Sequence, residues 1–295
     1  MKSVSLHCNN NRGNSIEKFV SINVTTTQAR LNLCSQTVWS LVHQSVLPAK
    51  IVLWVSSEKY LADDGINSVP MWVDEINSIR DDILAIKWVK NTGPYRKIIP
   101  ALRCANDNDI LVYADDDVVY GFNWLYKLLE TFRDNQDKVV ASRVRELKRN
   151  IFGHVKSYLY STIVYKEKTL KNDYVITGVG GVVIKKSHIA SIYIELEDFV
   201  RICPTTDDLW ISKILELSST AILACPQAMD EISEIQHVHG LTLINNFDYS
   251  KGGIMVSLAR KIKIRLLGQM GIPVCKNDVS MRSINDFFVI FNRSI

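Results

Sequence analysis

The sequence predicts an α/β protein: a mostly parallel central sheet flanked by helices, followed by a helical, basic C-terminal tail. Three observations predict it. β-Branched apolar runs alternate with segments of helical period as far as about residue 138. Three of those runs end in hydroxyl or acidic residues, the type of residue that meets ligands at the carboxyl ends of parallel strands. A chain of 295 residues that is 47% hydrophobic can bury one large core.

Taken in order, "FVSINVTT" reads as the first buried strand, and Leu31, Cys34, Val38, Leu41 and Val42 then recur on one helical face. "KIVLWVSS" is the second strand, with Trp72, Val73, Ile76 and Ile79 marking the next helix. "ILAIKWV" is the third, and Gly93-Pro94 leads into a helix carrying Ile98, Ile99 and Leu102. "DILVYA" is the fourth, followed by a helix with Trp124, Leu125, Leu128, Leu129 and Phe132. Beyond about residue 138 the pattern shortens to β-like pieces, "KVVASRV" and "DYVITGVGGVVIKK", then a helix from about Asp208 to Leu217 and a short strand "TAILAC".

No clean linker interrupts this order. The expected division is a domain over 1–240, with one half at about 19–137 and a second at about 138–240, and a C-terminal extension over 241–295. The net charge of +4 and pI near 8.6 are too mild to point to nucleic acid. Six cysteines without a CxxC pair read as reduced core residues. The first residues lack the apolar core of a signal peptide, and no apolar run reaches the roughly 20 residues of a membrane span. A cytoplasmic protein is expected.

The most informative stretch is "LVYADDDVVY", where Asp115, Asp116 and Asp117 interrupt a core-like pattern. Adjacent carboxylates raise each other's pKa unless a cation compensates, and hard divalent cations prefer such oxygen ligands. On an extended strand Asp115 and Asp117 would share one side, with Asp116 facing away. Thr25–Thr27 and Ser56–Ser57 also lie just past strand ends, so all three groups are expected to converge.

"ILVYADDDVVY" resembles the strand and DXD motif of the GT-A glycosyltransferases. "TTTQARLNLCSQTVWSLVHQSVLPAKIVLWVSS" is similar to the opening of the family 2-type bacterial sugar transferases, "GPYRKIIPAL" resembles the segment before their DXD strand, and "PTTDDLWIS" resembles their later acidic helix start. The resemblance covers roughly 19–217 and implies a GT-A, Rossmann-like fold. It implies a metal-dependent inverting transferase that moves one sugar from a nucleotide-diphosphate sugar, UDP-linked by expectation, to a growing bacterial surface glycan. No processive-synthase "QxxRW" follows Asp208, in keeping with single-sugar addition.

The resemblance also implies roles. Thr25, Thr26, Thr27 and Arg30 would cradle the base, with Ser56 a further nucleoside contact; Thr27 could equally cap the following helix. Asp115 would approach the ribose and Asp117 would ligate Mn2+ or Mg2+, with Asp115, His237 or His239 completing the shell. The role of Asp116 stays open among loop support, donor contact and solvent exposure. Lys97 would reach the nucleotide or be a solvated charge. Gly180 and Gly181 would let backbone approach the sugar or form a bulge. Asp208 would be the base that accepts the acceptor's proton, with Asp207 its neighbour, although their order could be reversed.

In the tail, Met255, Leu258, Ile262 and Leu266 recur at helical spacing among Lys251, Arg260, Lys261, Lys263 and Arg265. Such a helix over 251–268 would either touch the inner-membrane surface or pack its apolar side on the domain. A lipid-linked glycan acceptor would suit the first. Two other activities stay open: a nucleotidyltransferase, although "TTTQAR" stands where a Gly-rich basic loop would be, and a degenerate glycan-binding or assembly module.

Overall fold

The computed structural model describes residues 16–236 and 263–294. The central sheet begins with β1 (Val20–Thr25), β2 (Lys50–Val55), β3 (Leu84–Trp88) and β4 (Ile110–Tyr113), mutually parallel in the order β3-β2-β1-β4. These are the four strands expected from the apolar runs. Their side chains alternate between two cores: Val52, Trp54, Leu111 and Tyr113 face one, and Ile51, Leu53, Ile110 and Val112 the other. Burial on both faces explains why the runs of β2 and β4 are continuously apolar, whereas β1 alternates with Ser21 and Asn23 and the edge strand β3 ends in exposed Lys87 and Trp88.

Helices cover both faces. On one lie α1 (Leu31–Val42), α2 (Trp72–Ile79) and α4 (Trp124–Arg133), through residues such as Cys34, Val38, Ile76 and Leu128. On the other lie α3 (Ile99–Cys104) and α7 (Asp207–Leu217), through Leu102, Trp210 and Ile214. Two short helices, α5 (Ser191–Ile194) and α6 (Phe199–Ile202), precede α7. Between β4 and α4 runs β5 (Val118–Tyr120), so the acidic triplet is the bend joining β4 to β5.

The pieces after residue 138 extend the sheet and then leave it. "KVVASRV" divides into β6 (Val139–Ala141) and β7 (Val144–Glu146), and short β8 (Thr162–Ile163) and β9 (Lys168–Leu170) follow. "DYVITGVGGVVIKK" divides in the same way, into β10 (Tyr174–Ile176) and β11 (Val182–Ile184). β11 pairs antiparallel with both β4 and β6 in the main sheet, while β10 pairs with β7 in a three-stranded sheet. β12 (Ile222–Ala224) runs parallel to β6, and β9 closes the edge antiparallel. The result is a mixed α/β fold with a large, mainly parallel eight-stranded sheet. A last pair, β5 with β13 (Ile232–Glu234), lies beside the triplet, where the Ile235 amide donates to the Asp117 carbonyl at 2.8 Å.

The C-terminal region holds a helix absent from the sequence reading, α8 (Lys276–Ser294). Its Ile284 and Phe288 are buried in the core that contains Trp210, and the Phe288 and Trp210 rings lie 4.9 Å apart. Residues 263–269 are also helical, with Leu266 and Lys263 exposed. Lys251, Met255, Leu258, Arg260, Lys261 and Ile262 lie outside the described residues. Among the described residues no helix is long and apolar enough to cross a membrane, and Cys34, Cys104, Cys203, Cys225 and Cys275 are free thiols.

Candidate active site

At the carboxyl ends of β1 and β4 the loops diverge around a cavity of about 810 Å³. Thr25, Thr26, Thr27 and Arg30 line it from the first loop, Lys97 from the turn of 3-10 helix Gly93–Lys97, Asp115–Asp117 from the β4 end, and Asp207–Asp208 from the start of α7. Residues scattered over most of the chain therefore share one wall.

Two cations organise the acids. The Arg30 guanidinium lies 2.5 Å from an Asp116 oxygen and 2.8 Å from an Asp117 oxygen. The other Asp116 oxygen accepts the Thr26 hydroxyl at 2.6 Å. Asp116 is buried and so does not turn to solvent. The expected alternation fails here because Asp116 and Asp117 are in a turn, where two successive side chains can reach the same guanidinium. Burial pushes the Asp116 carboxyl up to about 6, despite Arg30, with Asp117 adding to the rise.

Lys97 is the second cation. Its Nζ lies 2.5 Å from Asp115 Oδ1 and 2.9 Å from Asp207 Oδ2, and the residue is 4% exposed, so it is not a solvated charge. Burial opposes its charge, but Asp115, Asp207 and Asp208 more than offset this and hold the ammonium well above the ordinary lysine range. Asp208 points elsewhere: its Oδ1 accepts the Gly178 amide at 3.0 Å. Burial and then the neighbouring Asp207 charge push its carboxyl well above the usual range.

The glycine segment supports this wall from behind. A Cβ on Gly178 would come within 2.5 Å of Asp115 Oδ1 and 2.7 Å of Lys97 Nζ. Gly180 and Gly181 lie outside the cavity lining. The Gly180 carbonyl accepts Trp124 Nε1 at 2.8 Å, and Gly181, at φ +84°, is covered by the Trp124 ring. Ser56 is also outside the lining; it is buried and its Oγ accepts the Glu58 amide at 3.2 Å. His237 and His239 fall outside the described residues.

Sequence reading missed a second buried ion pair in the wall. Arg96 Nη2 donates to Asp63 Oδ2 at 2.9 Å and to the Thr26 carbonyl at 3.0 Å. Asp63 also accepts the Gln28 amide at 3.2 Å, which ties the β1 loop to the loop after β2. Arg96 stands beside Lys97 within "GPYRK", a usable signal; Asp63, in a polar loop, carried none. Across the cavity, Arg143 pairs with Glu234 at 2.6 Å.

No group of three or more His, Cys, Asp or Glu among the described residues is arranged as a preformed metal cage. The donor chemistry nevertheless suits a hard cation. The described lining carries seven carboxyl groups against five arginines and lysines, an acidic excess that a bound divalent ion would offset.

Residues 24–186 match the family described as "Glycosyl transferase family 2". The chain belongs to that family. It is a glycosyltransferase, and the matched segment spans the loops and the acidic triplet, ending before Asp207. No curated protein matches the chain. Solved structures to which the chain is similar include 4-diphosphocytidyl-2C-methyl-D-erythritol synthase from Anaerococcus prevotii DSM 20548, at 12% identity and TM-score 0.38 over 61% of this chain and 74% of that one. The mannosyltransferase PcManGT from Pyrobaculum calidifontis, in complex with GDP-Man and Mn2+, gives 18% and 0.34 over 42% of this chain and 34% of that one. GalNAc-T7 with UDP, GalNAc and Mn2+ gives 14% and 0.49 over 84% and 48%.

Proposed function

We propose that this glycosyltransferase moves one sugar from a nucleotide-diphosphate sugar, a UDP-sugar by preference, to a growing bacterial surface glycan, free or lipid-linked, with inversion at the anomeric carbon. The observation that carries the reading is the meeting of Asp115–Asp117 with Asp207–Asp208 in one cavity, joined through Lys97. A diphosphate entering this acidic wall needs positive charge. Arg30 and Lys97 supply part of it, and Asp115 and Asp117 are the groups that would hold Mn2+ or Mg2+ with the phosphates. Such an ion, once bound, would neutralise charge on the departing nucleotide diphosphate.

The remaining chemistry belongs to the chain. The Thr25–Thr27 loop, fixed by Arg96 and Asp63, would receive the nucleoside. Asp208 would accept the proton of the attacking hydroxyl at the carboxyl oxygen facing the cavity. An ordinary carboxylate is a weak base, and its raised proton affinity suits Asp208 to that task. Asp207, paired with Lys97, would hold the ammonium between donor and acceptor sides. On this reading 19–137 is the nucleotide half, 138–240 the acceptor half and 241–295 an extension. A cytoplasmic location follows from the donor.

A thermal-shift panel of nucleotide sugars with Mn2+, Mg2+ or EDTA tests the donor and the metal. The reading expects one donor to raise Tm with metal and to lose that effect in EDTA, because a ligand bound only by the folded state stabilises it. A shift insensitive to EDTA would remove the metal from the reading; no shift with any nucleotide sugar would remove the donor.

A further inference from the structure

Two segments far apart in sequence form one apolar face beside the cavity. The first is a tight hairpin. Arg149 and Val155 form a β-bridge, Asn150 Oδ1 accepts the amides of Phe152 and His154 at 3.0 and 3.1 Å, and Gly153 turns the chain at φ +81°. Its tip presents Ile151 and Phe152, 93% and 75% exposed. Arg149 anchors the base, donating to both Asp173 oxygens at 2.7 Å. A hairpin this well bonded, with two large apolar residues at its tip, holds them out in water by construction.

The second segment, 263–272, is fastened to the first. The Gly268 carbonyl accepts the Ser157 amide at 2.9 Å, the Arg265 carbonyl accepts the Tyr160 hydroxyl at 2.8 Å, and the Gln269 carbonyl accepts Asn150 Nδ2 at 3.3 Å. It adds Leu266 and Met270, 60% and 63% exposed. Neither stretch 147–161 nor stretch 263–277 contains an Asp or Glu, while together they carry six lysines and arginines; Lys148 is paired with Glu146 and Arg149 with Asp173, which leaves Lys156, Lys263, Arg265 and Lys276 as the excess. The loop reaches the cavity too, since Tyr158 and Leu159 are part of its wall.

We infer that this face docks on an anionic lipid surface, with Ile151, Phe152, Leu266 and Met270 entering the interfacial region and Lys156, Lys263 and Arg265 meeting acidic headgroups. Apolar side chains supply burial, and the excess of lysine and arginine supplies charge complementarity, the two contributions on which peripheral membrane binding rests. The face goes beyond the transfer reaction, because docking needs neither donor nor acceptor.

Flotation of the full chain with vesicles of phosphatidylcholine, alone or mixed with phosphatidylglycerol, tests it. The protein should float with the mixed vesicles, less so at high salt. Ile151→Ser with Phe152→Ser should lower partitioning about tenfold or more, at an unchanged Tm because both side chains are exposed. Lys156→Glu with Lys263→Glu should lower binding to the mixed vesicles alone. Failure of the parent to float, or equal flotation of parent and variants, would overturn the docking face. So would light scattering that shows a dimer dissolved by the Ile151/Phe152 changes, since the face would then join two copies of this chain.

Discussion

Lys97 Nζ lies 2.9 Å from Asp207 Oδ2 and, with Asp115 on its other side, joins the end of β4 to the start of α7. This ammonium connects the part of the cavity assigned to the donor with the part assigned to the acceptor.

Lys97→Met leaves Asp115 and Asp207 facing each other without a counter-ion. Removing one partner from a buried ion pair costs roughly 3–5 kcal/mol. Urea unfolding should show a loss of that order, and Lys97→Arg should recover part of it.

Gly178→Ala places a methyl where Asp115 and Lys97 meet. The ends of these side chains are flexible but held by their pairing, so the expected loss is about 1–3 kcal/mol. Weaker donor binding should accompany it in titration calorimetry. An unchanged donor affinity would separate Gly178 from the donor wall.

Asp116→Asn reports on the buried carboxyl. Its folded value of about 6 exceeds the ordinary 3.8. The stability tied to its proton is therefore complete below about pH 4 and is lost as pH rises toward 6. The difference corresponds to up to about 3 kcal/mol. In the metal-free protein, the fall in stability between pH 4 and 7 should be shallower for Asp116→Asn than for the parent, read from unfolding midpoints across pH.

Phe288→Ala removes a ring that is 1% exposed from the core between α8 and α7. A loss of about 3–5 kcal/mol is expected. Because α7 carries Asp207 and Asp208, turnover should fall further than donor affinity. A variant as stable as the parent would mean that α8 is dispensable to the fold.

Strands β2 and β4 were legible because each is buried on both faces, so their apolar runs contain few interruptions; β1 and β3 were legible because one face of each keeps its apolar residues, Val20, Ile22 and Val24 in β1 and Leu84 and Ile86 in β3, and the helices between them keep a clear period. The acidic triplet was legible because three charges at a core strand end need compensation. What its sequence hid was the turn at Asp116–Asp117, which overrides strand alternation and gives both residues to Arg30. The burial of Lys97 was hidden for a related reason: a lysine at a helix end is recognisable as buried only once Asp115 and Asp207, distant in sequence, have been brought to it. Gly180 and Gly181 fit the close approach read from their composition, but the group approaching is Trp124. The helix α8 escaped notice because its Phe287, Phe288 and Phe291 follow a basic segment that drew the reading toward a surface tail.

The central claim is that donor binding and proton removal lie on opposite sides of Lys97. Donor affinity and single-turnover transfer measured on Asp208→Asn, with Asp117→Ala alongside, test it most directly. The account predicts that Asp208→Asn keeps its donor affinity and loses about 10²–10⁴-fold in transfer rate, while Asp117→Ala loses metal-dependent donor binding. Near-parental transfer by Asp208→Asn would contradict it.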